Sequence, residues 1–262
     1  MLTIEFLGAP YSGKSYYKNE LEKDNYFSKY NVFNYRNNFF CNLPLVQNLN
    51  IIEKNILKIY CNKKRTEAKQ SGKQVKKKNF LSRFFQNKTN SLIKYHSDLF
   101  KKKKPEFSKI IENYFEISEH KIDRFNNLNR WINELFASYE VYISLKSKKN
   151  IIIDSEGFIH RANSFIISNN DSTFIENYLK FCPKPDILIY IDENLDKIRD
   201  RIKESKNQDE ITKYENIIEN MHNNSSIIFE KMKNYSTEKF VVNSNNFLEV
   251  KDNITDYLNK NY

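Results

Sequence analysis

The residues of this chain best suited to chemistry form the segment Gly8-Ala9-Pro10-Tyr11-Ser12-Gly13-Lys14-Ser15, whose spacing is G-x-x-x-x-G-K-S. Glycine reaches positive φ at little steric cost, so Gly8 and Gly13 allow a tight turn in which backbone N–H groups converge on one concavity. A helix that begins at the end of such a turn adds its unpaired N–H groups and its dipole. The segment therefore predicts a loop that binds the phosphates of a nucleotide.

Side chains of the segment would complete this nucleotide site. Lys14 would place a fixed positive charge at the β- and γ-phosphates, and the Ser15 hydroxyl would bind the Mg²⁺ that bridges them. The chain contains only four glycines, and two of them stand at the required positions, which makes a chance match improbable. The alternative is an ordinary glycine turn before a helix. The residues predicted to contact the nucleotide here are Gly8, Tyr11, Ser12, Gly13, Lys14, Ser15 and Tyr16.

The carboxylate of Asp154 is a second candidate for chemistry. It follows the apolar run Asn150-Ile151-Ile152-Ile153. The run predicts a buried strand, and ligands of parallel sheets bind beyond the carboxyl ends of their strands. Asp154 could therefore face Ser15, where it would hold Mg²⁺ or accept the proton of an attacking hydroxyl. Glu156 could share either role. The alternative is an acidic residue that merely ends a strand, as Asp192 does in the same sequence.

The apolar pattern alternates predicted strands with predicted helices. The predicted strands are 2–7, 30–35, 150–154, 186–192 and 239–243. The predicted helices are 16–23, 43–60, 107–114, 121–146, one that contains Leu195, Ile198 and Ile202, 210–233, and one that begins near Leu248. This alternation is typical of the α/β class, with a parallel sheet covered by helices on both faces. No glycine- or serine-rich linker divides the chain, so we expect a single domain over 1–262.

Positive charge is concentrated between Cys61 and Lys104. This segment holds fifteen Lys and Arg residues against two acidic ones, so its local excess is larger than the net charge of +10 carried by the whole chain. We expect this segment to be a helical insertion in the domain. A basic insertion with interleaved aromatic side chains attracts polyanions, such as nucleic acid, anionic lipid or a phosphorylated acceptor. The alternative is a solvated insertion without a specific ligand.

Cysteine content and hydropathy limit the class of protein further. The three cysteines, Cys41, Cys61 and Cys182, are far apart and form no C-x-x-C pair, which favours neither a disulfide framework nor a zinc site. No apolar run approaches the roughly 18 residues that cross a bilayer, and no signal peptide is indicated. These features favour a cytoplasmic protein.

Taken with these motifs, the chain resembles the P-loop kinases that act on nucleosides and nucleotides, the thymidylate kinases in particular. The resemblance rests on Gly8–Ser15, on Tyr35-Arg36 after the second strand, on the long helix followed by 151–157, and on 185–192. It implies a five-stranded parallel sheet in the order 2-3-1-4-5, with a lid over about 194–210.

The resemblance also implies roles for individual side chains. Arg199 and Arg201 would clamp the transferring phosphate, which makes them catalytic together with Lys14 and Asp154. Asn243 would lie at an adenine site. Ser155-Glu156-Gly157 stands where thymidylate kinases carry Arg-Tyr, and Arg161 is a candidate for the missing charge. The residues expected to bind the acceptor are Arg36, Arg130, Glu156 and Arg161.

The sequence thus predicts transfer of the γ-phosphoryl group of ATP, with Mg²⁺, to a hydroxyl or phosphate acceptor. The acceptor could be a nucleoside, a nucleotide, a sugar or a larger glycan. The alternative hypothesis is a nucleotide-gated binding protein. In such a protein, ATP would control the affinity of the basic segment 61–104 for nucleic acid or an anionic membrane.

Overall fold

The computed structural model describes residues 2–34, 80–117, 122–144, 150–166, 172–205 and 208–262. Its strands are Leu2–Leu7 (β1), Asn31–Phe33 (β2), Asn150–Asp154 (β3), Ile187–Ile191 (β4) and Glu238–Val242 (β5). Its helices are Lys14–Glu22 (α1), Phe80–Lys103 (α2), Pro105–Ile117 (α3), Ile122–Ser144 (α4), Phe158–Ile166 (α5), Ser172–Phe181 (α6), Leu195–Ser205 (α7), Gln208–Met232 (α8) and Phe247–Asn261 (α9).

The five strands form one parallel sheet in the order β2-β3-β1-β4-β5. This is the order that the resemblance predicted, and the architecture is α/β. The inner strands β1, β3 and β4 are almost continuously apolar and buried, as expected of parallel strands covered on both faces.

Alternate residues of the inner strands face different layers of helices. On one face, Ile4, Ile153 and Ile189 pack in a cluster with side chains of α1 and α9. On the other face, β1 contacts α5, and the ring of Tyr190 in β4 stacks on Phe229 of α8 at 4.8 Å. Because side chains alternate along a strand, Glu5 of β1 projects from this second face, toward α5.

The described chain divides into two compact units. The first unit, 1–33, 106–119 and 147–262, contains the whole sheet. The second unit, 34–105 and 120–146, contains α2 and α4, whose Phe100 and Phe136 rings stack at 4.3 Å. The predicted basic insertion falls in this second unit, and its residues 61–79 lie outside the described residues.

The predicted strands all correspond to observed ones, and the helices predicted over 107–114, 121–146 and 210–233 correspond to α3, α4 and α8. The prediction of a helix over 43–60 falls outside the described residues. Helix α2 lies within the insertion 61–104, which was expected to be helical, whereas helices α5 and α6 were not predicted. Helix α5 is only nine residues long, and its polar residues His160, Arg161 and Asn163 are buried together with its apolar ones.

Within the described ranges, the helices include none that is both long enough and apolar enough to cross a bilayer.

Candidate functional site

The segment Gly8–Ser15, here called the glycine loop, connects β1 to α1 in a conformation that depends on its glycines. Gly13 has φ 101° immediately before α1, a value that other residues rarely adopt. A Cβ on Gly8 would lie 2.9 Å from Ser12 Oγ and 3.1 Å from Ile191 Cβ, so the loop closes against β4 only with glycine there. Tyr11 also has positive φ, at 62°. Strain of this kind is found at binding sites that the surrounding fold holds in shape.

The side chain of Lys14 folds back over the glycine loop. Its ammonium group donates hydrogen bonds to the carbonyl oxygens of Gly8 and Ala9, at 2.8 and 2.6 Å. Burial lowers the pKa of Lys14 to about 7, while Glu156 acts to raise this pKa and Arg161 to lower it. The ammonium is therefore partly deprotonated near neutral pH, and a bound anion would restore its charge.

Asp154 lies at the end of β3, next to β1, the strand that leads into the glycine loop. The parallel register pairs Asp154 with Glu5 of β1, and both carboxyl groups are buried. Asp154 Oδ1 accepts the backbone N–H of Glu156 at 2.7 Å, which holds the turn that follows β3. The backbones of neighbouring strands lie about 4.8 Å apart. Ionisation of both buried carboxyl groups is unfavourable at this spacing, because like charges repel each other.

Glu5 resolves this conflict and is a residue that the sequence analysis missed. Its Oε1 accepts the backbone N–H of His160 at 2.6 Å, in the first turn of α5. A Cβ on Gly157 would lie 2.5 Å from Glu5 Cδ, so glycine is required beside this carboxyl group. Burial raises the pKa of Glu5 to about 8, with a smaller contribution from Asp154 in the same direction. Glu5 is therefore mostly protonated at neutral pH. The available signal was an acidic residue inside an apolar strand.

The first turn of α5 adds a histidine and an arginine to the same place. Arg161 Nη2 donates to Glu156 Oε2 at 2.6 Å, and the arginine side chain is only 9% exposed. His160 is buried, and its Nδ1 has no hydrogen-bond partner among the described residues. Burial, followed by the charges of Lys14 and Arg161, holds the pKa of His160 well below its usual value. We name Lys14, Asp154, Glu156 and Arg161 the central cluster.

Arg201 of α7 approaches the glycine loop from the other side. Its Nη1 donates to the carbonyl oxygen of Tyr11 at 3.2 Å, and its Nη2 donates to Glu193 Oε2 at 2.9 Å. Glu193 is buried just after β4 and also accepts a hydrogen bond from Ser244 Oγ at 3.2 Å. Glu193 thus orients Arg201, and it was not predicted as a site residue. Its signal was the acidic pair that follows β4.

Arg199 is turned away from the glycine loop, although it is only two residues from Arg201. Its guanidinium pairs with Asp196 at 3.3 Å and with Glu219 of α8 at 3.2 Å. With Glu193 and His222 it lines a cavity of about 560 Å³. Two residues of a helix differ by about 200° in direction, so one helix cannot present both arginines to the loop.

The remaining predicted residues of unit 1 lie around the start of α1 and after β5. Ser15 and Tyr16 are exposed at the start of α1, and the ring of Tyr16 lies 6.4 Å from that of Phe247. Asn243 Oδ1 accepts the backbone N–H groups of Asn245 and Asn246, which shapes the turn after β5. None of these three side chains belongs to the central cluster.

The two other predicted acceptor arginines are not brought to the central cluster by any described contact. Arg130 belongs to α4 in the second unit, where it is exposed and lies 3.8 Å from Glu134. Arg36 lies outside the described residues.

The donors at this site suit a hard cation. Among the described residues, no group of three or more His, Cys, Asp and Glu side chains is placed to hold a metal by itself. Mg²⁺ does not need such a cage, because it is usually bound by one or two protein oxygens, by phosphates and by water. The carboxylate of Asp154 and the hydroxyl of Ser15 are donors of this kind.

The chain matches no protein-family model, and no curated protein shows significant similarity to it. Its function must therefore be inferred from the glycine loop, the central cluster and the Glu193–Arg201 pair.

Glu5→Gln is expected to remove a pH dependence of stability. Between about pH 4.5 and pH 8 the folded protein holds a proton on Glu5 that the unfolded chain has lost, so this residue lowers the free energy of unfolding as pH rises, by up to about 1.4 kcal/mol per unit. Glutamine keeps an acceptor for the N–H of His160 and does not ionise. In urea unfolding, the variant should gain stability over wild type from pH 5 to pH 8.

The control is Glu249→Gln, at an exposed position of α9. Its difference from wild type should stay constant over the same range. A Glu5→Gln difference that is equally flat would contradict the protonated state of Glu5.

Gly157→Ala is expected to destabilise the fold by about 1–3 kcal/mol, because the new methyl group overlaps the carboxyl group of Glu5. The overlap should be relieved in the Glu5→Ala background. A double-mutant cycle in urea would then give a favourable coupling of more than about 1 kcal/mol. Additive effects would show that Gly157 is required for another reason.

Proposed function

We propose that this protein is a P-loop phosphotransferase that transfers the γ-phosphoryl group of ATP, with Mg²⁺, to a small-molecule acceptor. The observation that carries the proposal is the state of Lys14. Its ammonium donates to carbonyl oxygens of the glycine loop, and no carboxylate within the described residues forms an ion pair with it. A half-buried cation that forms no ion pair with a described residue, at the start of a helix, favours an anionic ligand. The sheet order supports the same proposal.

Each group would then act by position and charge. The backbone N–H groups of the glycine loop and Lys14 would hold the phosphates, and Ser15 with Asp154 would hold Mg²⁺. The metal, when bound, neutralises charge on the β- and γ-phosphates. Arg201 would stabilise charge on the transferring group, since Glu193 already holds its guanidinium over the glycine loop. Because the transition state of phosphoryl transfer is loose, such positioning supplies most of the rate.

The described part of the basic segment favours this function over a nucleotide-gated binding protein. Helix α2 ends in Lys101, Lys102 and Lys103, where cations stabilise the helix dipole. Lys103 also pairs with Glu140 of α4 inside the second unit. These lysines therefore have a structural role without nucleic acid or lipid. A cytoplasmic location, with access to ATP, is part of the proposal.

Lys14→Ala should weaken binding of Mg-ATP by at least about 100-fold. In wild type, the phosphates should raise the pKa of Lys14 from about 7, so that binding at pH 8 takes up protons. Calorimetry in two buffers of different ionisation enthalpy measures both quantities. Lys18→Ala, on the same helix and paired with Glu22, is the control and should bind normally. A wild-type protein that does not bind Mg-ATP would contradict the proposal.

Substitution of the two arginines of α7 should affect the rate of phosphoryl transfer very differently. Arg201→Ala is expected to slow phosphoryl transfer, or slow hydrolysis of ATP in the absence of acceptor, by about 100-fold, because it removes a positioned donor from the developing charge. Arg199→Ala should change the rate less than about threefold, since its guanidinium pairs with Glu219. Release of phosphate from labelled ATP measures both. Equal losses would contradict the assignment of Arg201.

A further inference from the structure

The Glu193 carboxylate meets the hydroxyl group of Ser244 just beyond the ends of β4 and β5. The parallel register of these strands ends with Ile191 opposite Val242. Glu193 and Ser244 each follow two residues later, so the two chains bring them side by side. Ser244 Oγ donates to Glu193 Oε1 at 3.2 Å. The sheet register therefore joins the turn after β5 to the carboxylate that holds Arg201.

Two cations of α7 reach this same carboxylate. Lys197 and Arg201 are four residues apart, so they lie on one face of the helix. Arg201 Nη2 donates to Glu193 Oε2 at 2.9 Å, whereas Lys197 Nζ is 3.7 Å from Glu193 Oε1, too far for a hydrogen bond. The Glu193 side chain is only 2% exposed, so little water is available to solvate it. The two cations thus compete for one buried carboxylate, and Arg201 has the closer contact.

The Ser244 hydroxyl group accounts for this preference. Its oxygen accepts a hydrogen bond from Lys197 Nζ at 2.7 Å. Since an ammonium group can only donate, the single hydrogen of the hydroxyl is left for Glu193 Oε1. Ser244 therefore engages Lys197 and one oxygen of Glu193 at the same time, which leaves the other carboxylate oxygen to Arg201.

We propose that Ser244 is a positioning residue for phosphoryl transfer, which keeps Lys197 from pairing directly with Glu193 and so keeps Arg201 over the glycine loop. This inference rests on the proposed function and adds a residue to it. Ser244 acts through Glu193, and Arg201 reaches the carbonyl oxygen of Tyr11 at 3.2 Å as a result.

Loss of the hydroxyl group has a definite structural consequence. The Lys197 ammonium loses its acceptor, and Glu193 Oε1 loses a donor. These two groups are already 3.7 Å apart, so each is the nearest new partner for the other. A direct ion pair between them draws the carboxylate away from Arg201, whose guanidinium is then free to leave the glycine loop.

The first test measures turnover of Mg-ATP by the full chain, as phosphate released from labelled ATP. Ser244→Ala should lower kcat by about tenfold, because Arg201 is less often in place, and leave KM for ATP within about threefold, because Lys14 and the glycine loop are unchanged. Ser244→Thr keeps the hydroxyl group and should retain at least about half of the wild-type kcat. A wild-type kcat in Ser244→Ala would overturn the inference, and so would an equal loss in both variants.

The second test asks whether removal of the competing cation restores the rate. The double variant Ser244→Ala/Lys197→Met should regain at least about half of the lost kcat, since Glu193 then has only Arg201 to pair with. Lys197→Met alone should change kcat by less than about threefold. Losses that simply multiply in the double variant would show that Ser244 has a merely structural role.

The third test does not depend on activity. A double-mutant cycle of Glu193→Gln and Arg201→Met in urea gives the coupling free energy of this pair, which should fall by at least about half when Ser244→Ala is also present. The matched control is Ser28→Ala, at an exposed position where the hydroxyl group donates to the carbonyl oxygen of Asn25 at 2.7 Å. It should change neither the coupling nor kcat. An unchanged coupling in Ser244→Ala would contradict the inference.

The proposed function and the role of Ser244 fail separately. If wild type does not bind Mg-ATP, the phosphotransferase function is wrong, while the coupling between Glu193 and Arg201 still tests Ser244. If wild type binds and turns over Mg-ATP but Ser244→Ala is fully active, the role of Ser244 alone is wrong. Thermal unfolding would establish that each variant folds.

Discussion

The site depends on the contact between β1 and β3 that sets Glu5 beside Asp154. The parallel register makes them neighbours on one face of the sheet, and both are buried. Burial and proximity together favour a single ionised carboxylate, and Glu5 is the group that keeps the proton. It then accepts the N–H of His160 and fixes the start of α5. Since Gly157 permits this close approach, one glycine and one buried acid position the turn that carries Glu156 and the helix that carries Arg161.

A second carboxylate performs a similar task on the opposite side of the glycine loop. Glu193, at the end of β4, holds Arg201, just as Glu156, after β3, holds Arg161. In both cases a strand of the sheet ends in an acidic group, and a following helix supplies the arginine. The glycine loop lies at the end of β1, between these two strands in the sheet. Lys14 differs from both arginines because its partners are backbone carbonyl oxygens, which leaves its charge for a ligand.

The features that could be predicted from sequence are those fixed by local pattern. Continuous apolar runs identified the strands β1, β3 and β4, and the spacing of Gly8, Gly13 and Lys14 identified the loop. The residues and helices that the sequence did not reveal depend on the tertiary structure. Burial, which the sequence does not state, makes Glu5 a protonated acceptor instead of a surface charge. The choice between Arg199 and Arg201 depends on which face of α7 is turned to the glycine loop. Helix α5 is short, and it buries polar side chains that the sequence would place on a surface.

The protonation of Glu5 also bears on the binding of a nucleotide. If Glu5 were ionised, three carboxylates would stand against two cations before any phosphate arrived, and the site would repel Mg-ATP itself. With Glu5 neutral, Asp154 and Glu156 face Arg161 and a Lys14 that is only partly protonated near neutral pH. A bound nucleotide adds the charges of one triphosphate and its metal ion. Lys14 can compensate for the added negative charge by becoming fully protonated. The proton held by Glu5 and the lowered pKa of Lys14 are thus consequences of the same constraint, the burial of charged groups beside the glycine loop.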